Sequence, residues 1–258
     1  MALKQFLVPL DDTIEAVSAF RFVLENFGTE KNILNILWLG EKCGHPEKAI
    51  DVKLENSMAR LDPMNSRYRI MIKDILEKDF PDIFTQINVV SIDPLTRKRL
   101  VAYCNYSDIL FSTIEVYQSH IYPLFKNYSV GQKYAKVCCP KILVDTDIQT
   151  TDNVVMVVTG QNSTISTVKQ FCHVYSEKCS GKELNLLDLQ KFDQRASVKN
   201  AQKLLVEYLK NHVSSPAIFP YSGEDEKRLS SILNLTKNTV WVSPLESVEE
   251  LKFIAKKV

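Results

Sequence analysis

From Thr13 the chain reads Thr-Ile-x-x-Val-x-x-Phe-x-x-Val, and the same pattern returns from Thr164 without a gap. Ile14 matches Ile165, Val17 matches Val168, Phe20 matches Phe171 and Val23 matches Val174. Slightly further on, Leu34-Asn35-Ile36-Leu37-Trp38-Leu39 is echoed by Leu184-Asn185-Leu186-Leu187-Asp188-Leu189 in the same order and at nearly the same offset. Two matches in one order make a duplicated unit the expected organisation, and whatever folds one half must then fold the other.

Each unit opens on a short continuous apolar run, Phe6-Leu7-Val8 or Val154-Val155-Met156-Val157-Val158, of the kind buried on both faces of a parallel sheet. A polar elbow of helix-capping residues follows, Asp11-Asp12-Thr13 or Asn162-Ser163-Thr164. The next apolar residues fall three or four apart (Ile14, Val17, Phe20, Val23, Leu24, Phe27), which predicts a helix ending at Gly28. A second apolar strand begins at Ile33, so strand, helix and strand form a right-handed βαβ unit on a parallel sheet. The alternation continues with helices over 66–78, 97–105 and 130–138 and strands over 87–92, 108–112 and 141–145. The second half repeats it more tersely, with helices over 197–212 and 225–235, strands over 217–219 and 239–242, and a last helix but no fifth strand.

A length of 258 residues fits two domains, set by the repeat at 1–147 and 148–258. Basic and acidic residues number 32 and 31, a net charge of +1, so no global field favours nucleic acid or a membrane surface as partner. Only 7 of the residues are glycine, and none are spaced as GxGxxG or GxxxxGK[ST], which removes the common glycine-built phosphate cradles. No apolar run reaches the 18 or so residues of a membrane span, and Asp11 and Asp12 interrupt any early apolar signal. The expected location is the cytoplasm, where the six cysteines remain thiols.

Three segments resemble the universal stress protein family in its tandem two-domain form. Phe6-Leu7-Val8-Pro9-Leu10-Asp11 is similar to the family's opening strand "hhVPhD", and Asp108-Ile109-Leu110-Phe111-Ser112-Thr113 stands where the family has "DLIVMGS". The stretch from Ser129 to Val144 parallels "SVAEKVLRHAPCPVLVV". The resemblance covers residues 1 to 147, and 153 to 258 through the repeat. It implies two tandem, doubly wound, Rossmann-like α/β units of five-strand type, the second truncated. It also implies a regulatory or stress-response role rather than catalysis.

Nucleotide-binding members of that family hold ATP with G-x-x-G-x9-G-S/T after strand four, glycines letting backbone amides reach the phosphates. Here the three glycine positions fall on Glu115, Gln118 and Tyr128, and the serine on Ser129. A carboxylate about 4 Å from a phosphate costs roughly 1 kcal/mol in water and about 4 kcal/mol at the effective dielectric of a protein surface. The triphosphate mode is therefore expected to be lost. The residues remaining for a ligand are Asp11, Leu39, Ser112, Ser129 and Val130, so the alternative reading is an adenine-nucleotide (ATP or AMP) or small-ligand protein using the cleft beyond the strand ends. No cofactor and no metal is otherwise expected.

Weaker signals are weighed against plainer explanations. Asp145-Thr146-Asp147 is similar to the DxD of haloacid-dehalogenase phosphatases but has Gln149 at the fifth position, so a linker explains it better. Cys43-Gly44-His45 and Cys172-His173 each offer two metal ligands with no second pair at ligand spacing. Cys138-Cys139 precede Pro140 at a helix end, and Thr159-Gly160-Gln161-Asn162-Ser163-Thr164 reads as a helix cap before it reads as an anion cradle. The four histidines (His45, His120, His173, His212) sit in no recognisable triad, so no enzymatic activity is expected. Related folds pair through their fifth strands, and here the first unit has one while the second lacks it; that asymmetry should leave an edge strand to be covered or paired with another chain, which predicts a homodimer.

Overall fold

The computed structural model describes residues 3–39, 50–53, 58–61, 66–125, 139–146, 148, 151, 153–158, 162–179, 183–188, 196–212, 217–220 and 238–245. The chain divides into two units, Met1–Tyr128 and Ser129–Val258. The repeat places its own boundary after Asp147.

In the first unit, strand β1 (Gln5–Leu10), helix α1 (Ala16–Phe27) and strand β2 (Ile33–Trp38) form the expected βαβ unit. β1 and β2 run parallel, from Gln5 opposite Ile33 to Leu10 opposite Trp38. β3 (Ile50–Lys53) and β4 (Met58–Leu61) form an antiparallel hairpin that the sequence reading lacks. Helix α2 (Ser66–Asp79) leads to β5 (Gln86–Ser91), and α3 (Arg97–Cys104) leads to β6 (Ile109–Thr113). The strand order is β6-β1-β2-β5-β4-β3. The chain steps outward from β1 to β2 and back from β5 to β6. Right-handed crossovers in opposite senses wind helices onto both faces.

α1 packs its apolar stripe against β1 and β6. Phe6 and Phe27 lie 4.6 Å apart, ring to ring, and Phe111 joins them at 5.6 and 6.0 Å. All three rings are fully buried, and such contacts add about 0.5–1.5 kcal/mol each beyond the area they bury. β1 and β6 are buried on both faces, as their continuous apolar runs require. The first four residues of β2 and of β5 alternate instead. Asn35 and Asn88 look toward the less covered face, where Asn88 Nδ2 donates to Asn35 Oδ1 at 3.2 Å.

The helix ends at Gly28 as expected, the glycine keeping helical angles, φ −61° and ψ −32°. Its advantage is room, because an added Cβ would run into the Leu24 carbonyl and meet Ile83 Cγ2 at 3.1 Å. The Gly28 carbonyl then accepts from the Phe84 and Thr85 amides at 2.7 and 3.2 Å. From the polar elbow, Thr13 serves the start of α1, its Oγ1 accepting from the Ala16 amide at 3.4 Å. Glu15 occupies the cap position without a side-chain bond, and Ile14, read as part of the helix face, is 83% exposed in the preceding turn.

The second unit contains β7 (Pro140–Val144), β8 (Asn153–Val158), α6 (Asn162–Tyr175), a 3-10 turn (Ser176–Cys179), β9 (Glu183–Asp188), α7 (Ala196–Lys210), β10 (Ala217–Pro220) and β11 (Thr239–Pro244). Its order is β10-β9-β8-β11-β7. β8 to β11 run parallel in the third-second-first-fourth order of β5-β2-β1-β6. The matched core positions behave alike, since Val17 and Val168, Phe20 and Phe171, and Val23 and Val174 are all buried. The fold is α/β, mostly parallel and Rossmann-like.

β7 pairs antiparallel with β11, Leu143 opposite Trp241, so β11 has a neighbour on each side. Of the two outcomes expected for an edge strand, cover or pairing with another chain, β11 shows the first: β7 of the same chain covers it. The helices predicted over 130–138 and 225–235, and the last helix, lie outside the described residues.

Candidate functional site

The strand order of the first unit reverses between β1 and β6, and open α/β sheets hold ligands in the crevice beyond the carboxyl ends of such strands. Asp11 is the first residue after β1 and is only 7% exposed. Its Oδ1 accepts from the Thr13 amide at 3.0 Å and from the Thr13 hydroxyl, an Asx-type turn. Thr13 Oγ1 in turn accepts from the Ala16 amide at 3.4 Å. The second oxygen, Oδ2, meets His120 Nε2 at 2.9 Å.

Burial pulls the Asp11 pKa upward. The hydrogen bonds from His120 and from the Thr13 side chain and amide, together with the charge of His120, outweigh that pull and hold it below its ordinary 3.8. Asp11 is thus an ionised, buried carboxylate with both oxygens engaged.

His120 is the residue that sequence reasoning missed. β6 runs into a helical stretch made of α4 (Ile114–Val116), a π turn (Tyr117–Ile121) and α5 (Tyr122–Phe125). In the π turn the Tyr122 amide reaches back to the Tyr117 carbonyl, a wide turn often found at functional sites. Tyr117 and Ile121 are fully buried and anchor it, which leaves His120 half-buried and turned toward Asp11. The available signal was a histidine on the apolar stripe Val116, Tyr117, Ile121.

The same stretch stands where a glycine loop would begin. Thr113 caps it, its Oγ1 accepting from the Val116 amide at 3.3 Å. Glu115 is exposed in the first turn, where a carboxylate complements the helix dipole and repels an anion. Gln118 is exposed in the π turn. Ser112 is fully buried and its hydroxyl donates to the Thr113 carbonyl at 2.9 Å. Leu39, half-buried, follows β2 and donates its amide to the Leu10 carbonyl at 2.8 Å. Asp11, Leu39 and Ser112 thus share one end of one sheet. Tyr128, Ser129 and Val130 lie outside the described residues.

Elsewhere, Asp145 is exposed and accepts from the Thr146 amide at 2.9 Å, while Asp147 lies outside the described residues. Cys172 is buried and its thiol is pushed up to about 11 by that burial, whereas the adjacent His173 is exposed on another face of α6. Cys139 is buried, and Cys43, His45 and Cys138 lie outside the described residues. Among the described residues no cluster of three metal-ligating side chains occurs, and no helix is long and apolar enough to cross a membrane.

No protein-family model and no curated protein matches the chain. Among solved structures, the cytoplasmic domain of a prokaryotic cation chloride cotransporter is similar at 9% identity and a TM-score of 0.45, covering 95% of this chain and 97% of that one. A universal stress protein from Archaeoglobus fulgidus is similar at 10% identity and a TM-score of 0.48, covering 90% and 81%. The Rossmann-like α/β assignment rests on strand order and direction, independently of these likenesses.

Proposed function

We propose that this chain is a non-catalytic regulatory protein of the cytoplasm, built as a tandem universal-stress-type pair of units, whose first crevice has given up triphosphate binding. The stress-response role follows from the sequence resemblance. One observation carries the loss of the nucleotide site: from Ile114 to Phe125 the chain is helical, with Glu115 at its start and His120 bonded to Asp11. A phosphate approaching that helix start meets a carboxylate instead of bare amides, and a ribose seeking Asp11 must displace His120. The buried, weakly acidic Cys172 agrees with a chain lacking a reactive thiol there.

Calorimetric titration with ATP and with AMP, each with and without magnesium, tests the reading. No heat is expected from either nucleotide. Micromolar binding of ATP that disappears in Asp11→Ala overturns it.

A second reading keeps the crevice as a small-ligand site, favoured by the ionised Asp11 at the switch point beside Leu39. AMP binding without ATP binding is its signature. A homodimer rests on the resemblance alone once β11 is flanked by β7, and sedimentation equilibrium decides it.

A further inference from the structure

We infer that the second unit holds a small inorganic anion of halide size between Lys141 and Ser243, at the carboxyl end of β11. This goes beyond the reading given above, which concerns the crevice of the first unit.

Topology sets the place. In the second unit the strand order turns between β8 and β11, because β9 and β10 follow on one side of β8 and β11 lies on the other. Open α/β sheets hold ligands beyond the carboxyl ends of their strands at such a point. β7 runs antiparallel to β11, so Lys141, next to its start, reaches that same end and stands directly opposite Ser243. Residues opposed in this way project to one face, with Cβ atoms about 4.5–5.5 Å apart.

Both members of the pair are unusual. Lysine is among the residues least often enclosed completely, yet Lys141 is fully buried, and its Nζ donates at 3.4 Å to the carbonyl of Leu245, just past the end of β11. Ser243 is fully buried too, and its hydroxyl makes no hydrogen bond within the chain. A buried hydroxyl without a partner costs free energy, so a native fold keeps one where something outside the chain serves it.

Register identifies Ser243 as the counterpart of Ser112. Leu34 and its echo Leu184 stand opposite Phe6 and Val154, and these in turn stand opposite Ile109 and Val240. Three residues further along each strand lie Ser112 and Ser243. The Ser112 hydroxyl donates to the Thr113 carbonyl, whereas Ser243 stands beside a lysine with its own proton unused. A lysine nitrogen only donates and a hydroxyl can donate, so what suits the two together is an acceptor of negative charge. Full enclosure limits that acceptor to about the size of one water molecule, which among common anions means a halide.

Thermal unfolding of the full chain, followed while chloride replaces gluconate at constant ionic strength, tests the site. A ligand that binds only the folded chain raises the midpoint with the logarithm of its concentration, and that rise is expected in the wild type. Ser243→Ala, which removes one donor and little else, is expected to need about tenfold more chloride for the same rise. Lys141→Met is expected to lose the response; if it does not fold, the serine variant decides alone. Thr239→Val removes a second partnerless buried hydroxyl, at the amino end of β11, and is expected to respond as the wild type does. A wild-type midpoint indifferent to chloride overturns the site. So does an equal response in Ser243→Ala, which would mean that a water molecule, or nothing, serves the hydroxyl.

Discussion

The carboxylate of Asp11 and the imidazole of His120, 109 residues apart in the chain, meet at 2.9 Å. No local rule connects them. They meet because β1 and β6 are neighbours, Phe6 opposite Ile109 and Leu7 opposite Leu110, and because both strands end at the same edge of the sheet. An aspartate that reads as a helix cap is instead the anchor of a long-range contact.

That contact makes stability depend on acid. At neutral pH, Asp11→Asn is expected to lower the unfolding free energy by about 1–3 kcal/mol, the range for a hydrogen-bonded buried charge. Because the folded-state pKa is depressed below 3.8, the wild-type advantage is fully present above the unfolded value and is lost as pH falls through the folded one. Urea unfolding of both proteins at a series of pH values from about 7 to about 2.5 measures this. Curves that stay separated by the same amount at the acid end contradict the assignment.

The end of α1 is held by a residue 58 positions away from the carbonyl it serves. The Thr85 hydroxyl is buried and lies 3.0 Å from the Phe27 carbonyl and 3.1 Å from that of Glu30, so its single proton serves one of them at a time. Asn32 Nδ2 also donates to Phe27, at 3.2 Å. Thr85→Val keeps the shape and removes the donor, and a loss of about 1–2 kcal/mol is expected, with Thr85→Ser close to wild type. A shift in the urea midpoint at unchanged slope is the readout. No difference between the valine and serine variants would mean that the hydroxyl contributes nothing.

Cys172 is expected to be inert in the folded chain. A thiol raised to about 11 is ionised to about three parts in ten thousand at pH 7.5, roughly three-hundredfold less than a free cysteine, before any steric shielding is counted. Iodoacetamide labelling followed by mass spectrometry should modify it readily in urea and very slowly without it. Fast labelling of the folded protein would contradict the burial of α6 on this face.

Several features were readable from residues alone because they are local or periodic. Val17, Phe20 and Val23, with their echoes Val168, Phe171 and Val174, recur three apart and are buried in both units. Phe6-Leu7-Val8 reads as a strand covered on both faces and is one. The β3–β4 hairpin escaped because its segments, Ile50–Lys53 and Met58–Leu61, are only four residues each and hold no continuous apolar run. The helix end at Gly28 was legible too, and the structure adds why a glycine stands there: a side chain would meet the carbonyl of Leu24 and the side chain of Ile83.

The sequence by itself determined the fold class, the strand–helix alternation apart from the β3–β4 hairpin, and the core positions of α1 and α6 from Val17 and Val168 onward, since hydrophobic periodicity and chain direction are properties of neighbouring residues. Only the tertiary structure decided that β7 covers β11, that the segment after Thr113 winds into a π turn, and that His120 closes on Asp11. Those outcomes depend on which distant strands lie side by side. A hydrogen bond is directional and spans about 3 Å, so a partner 109 residues away is set by packing and not by spacing along the chain.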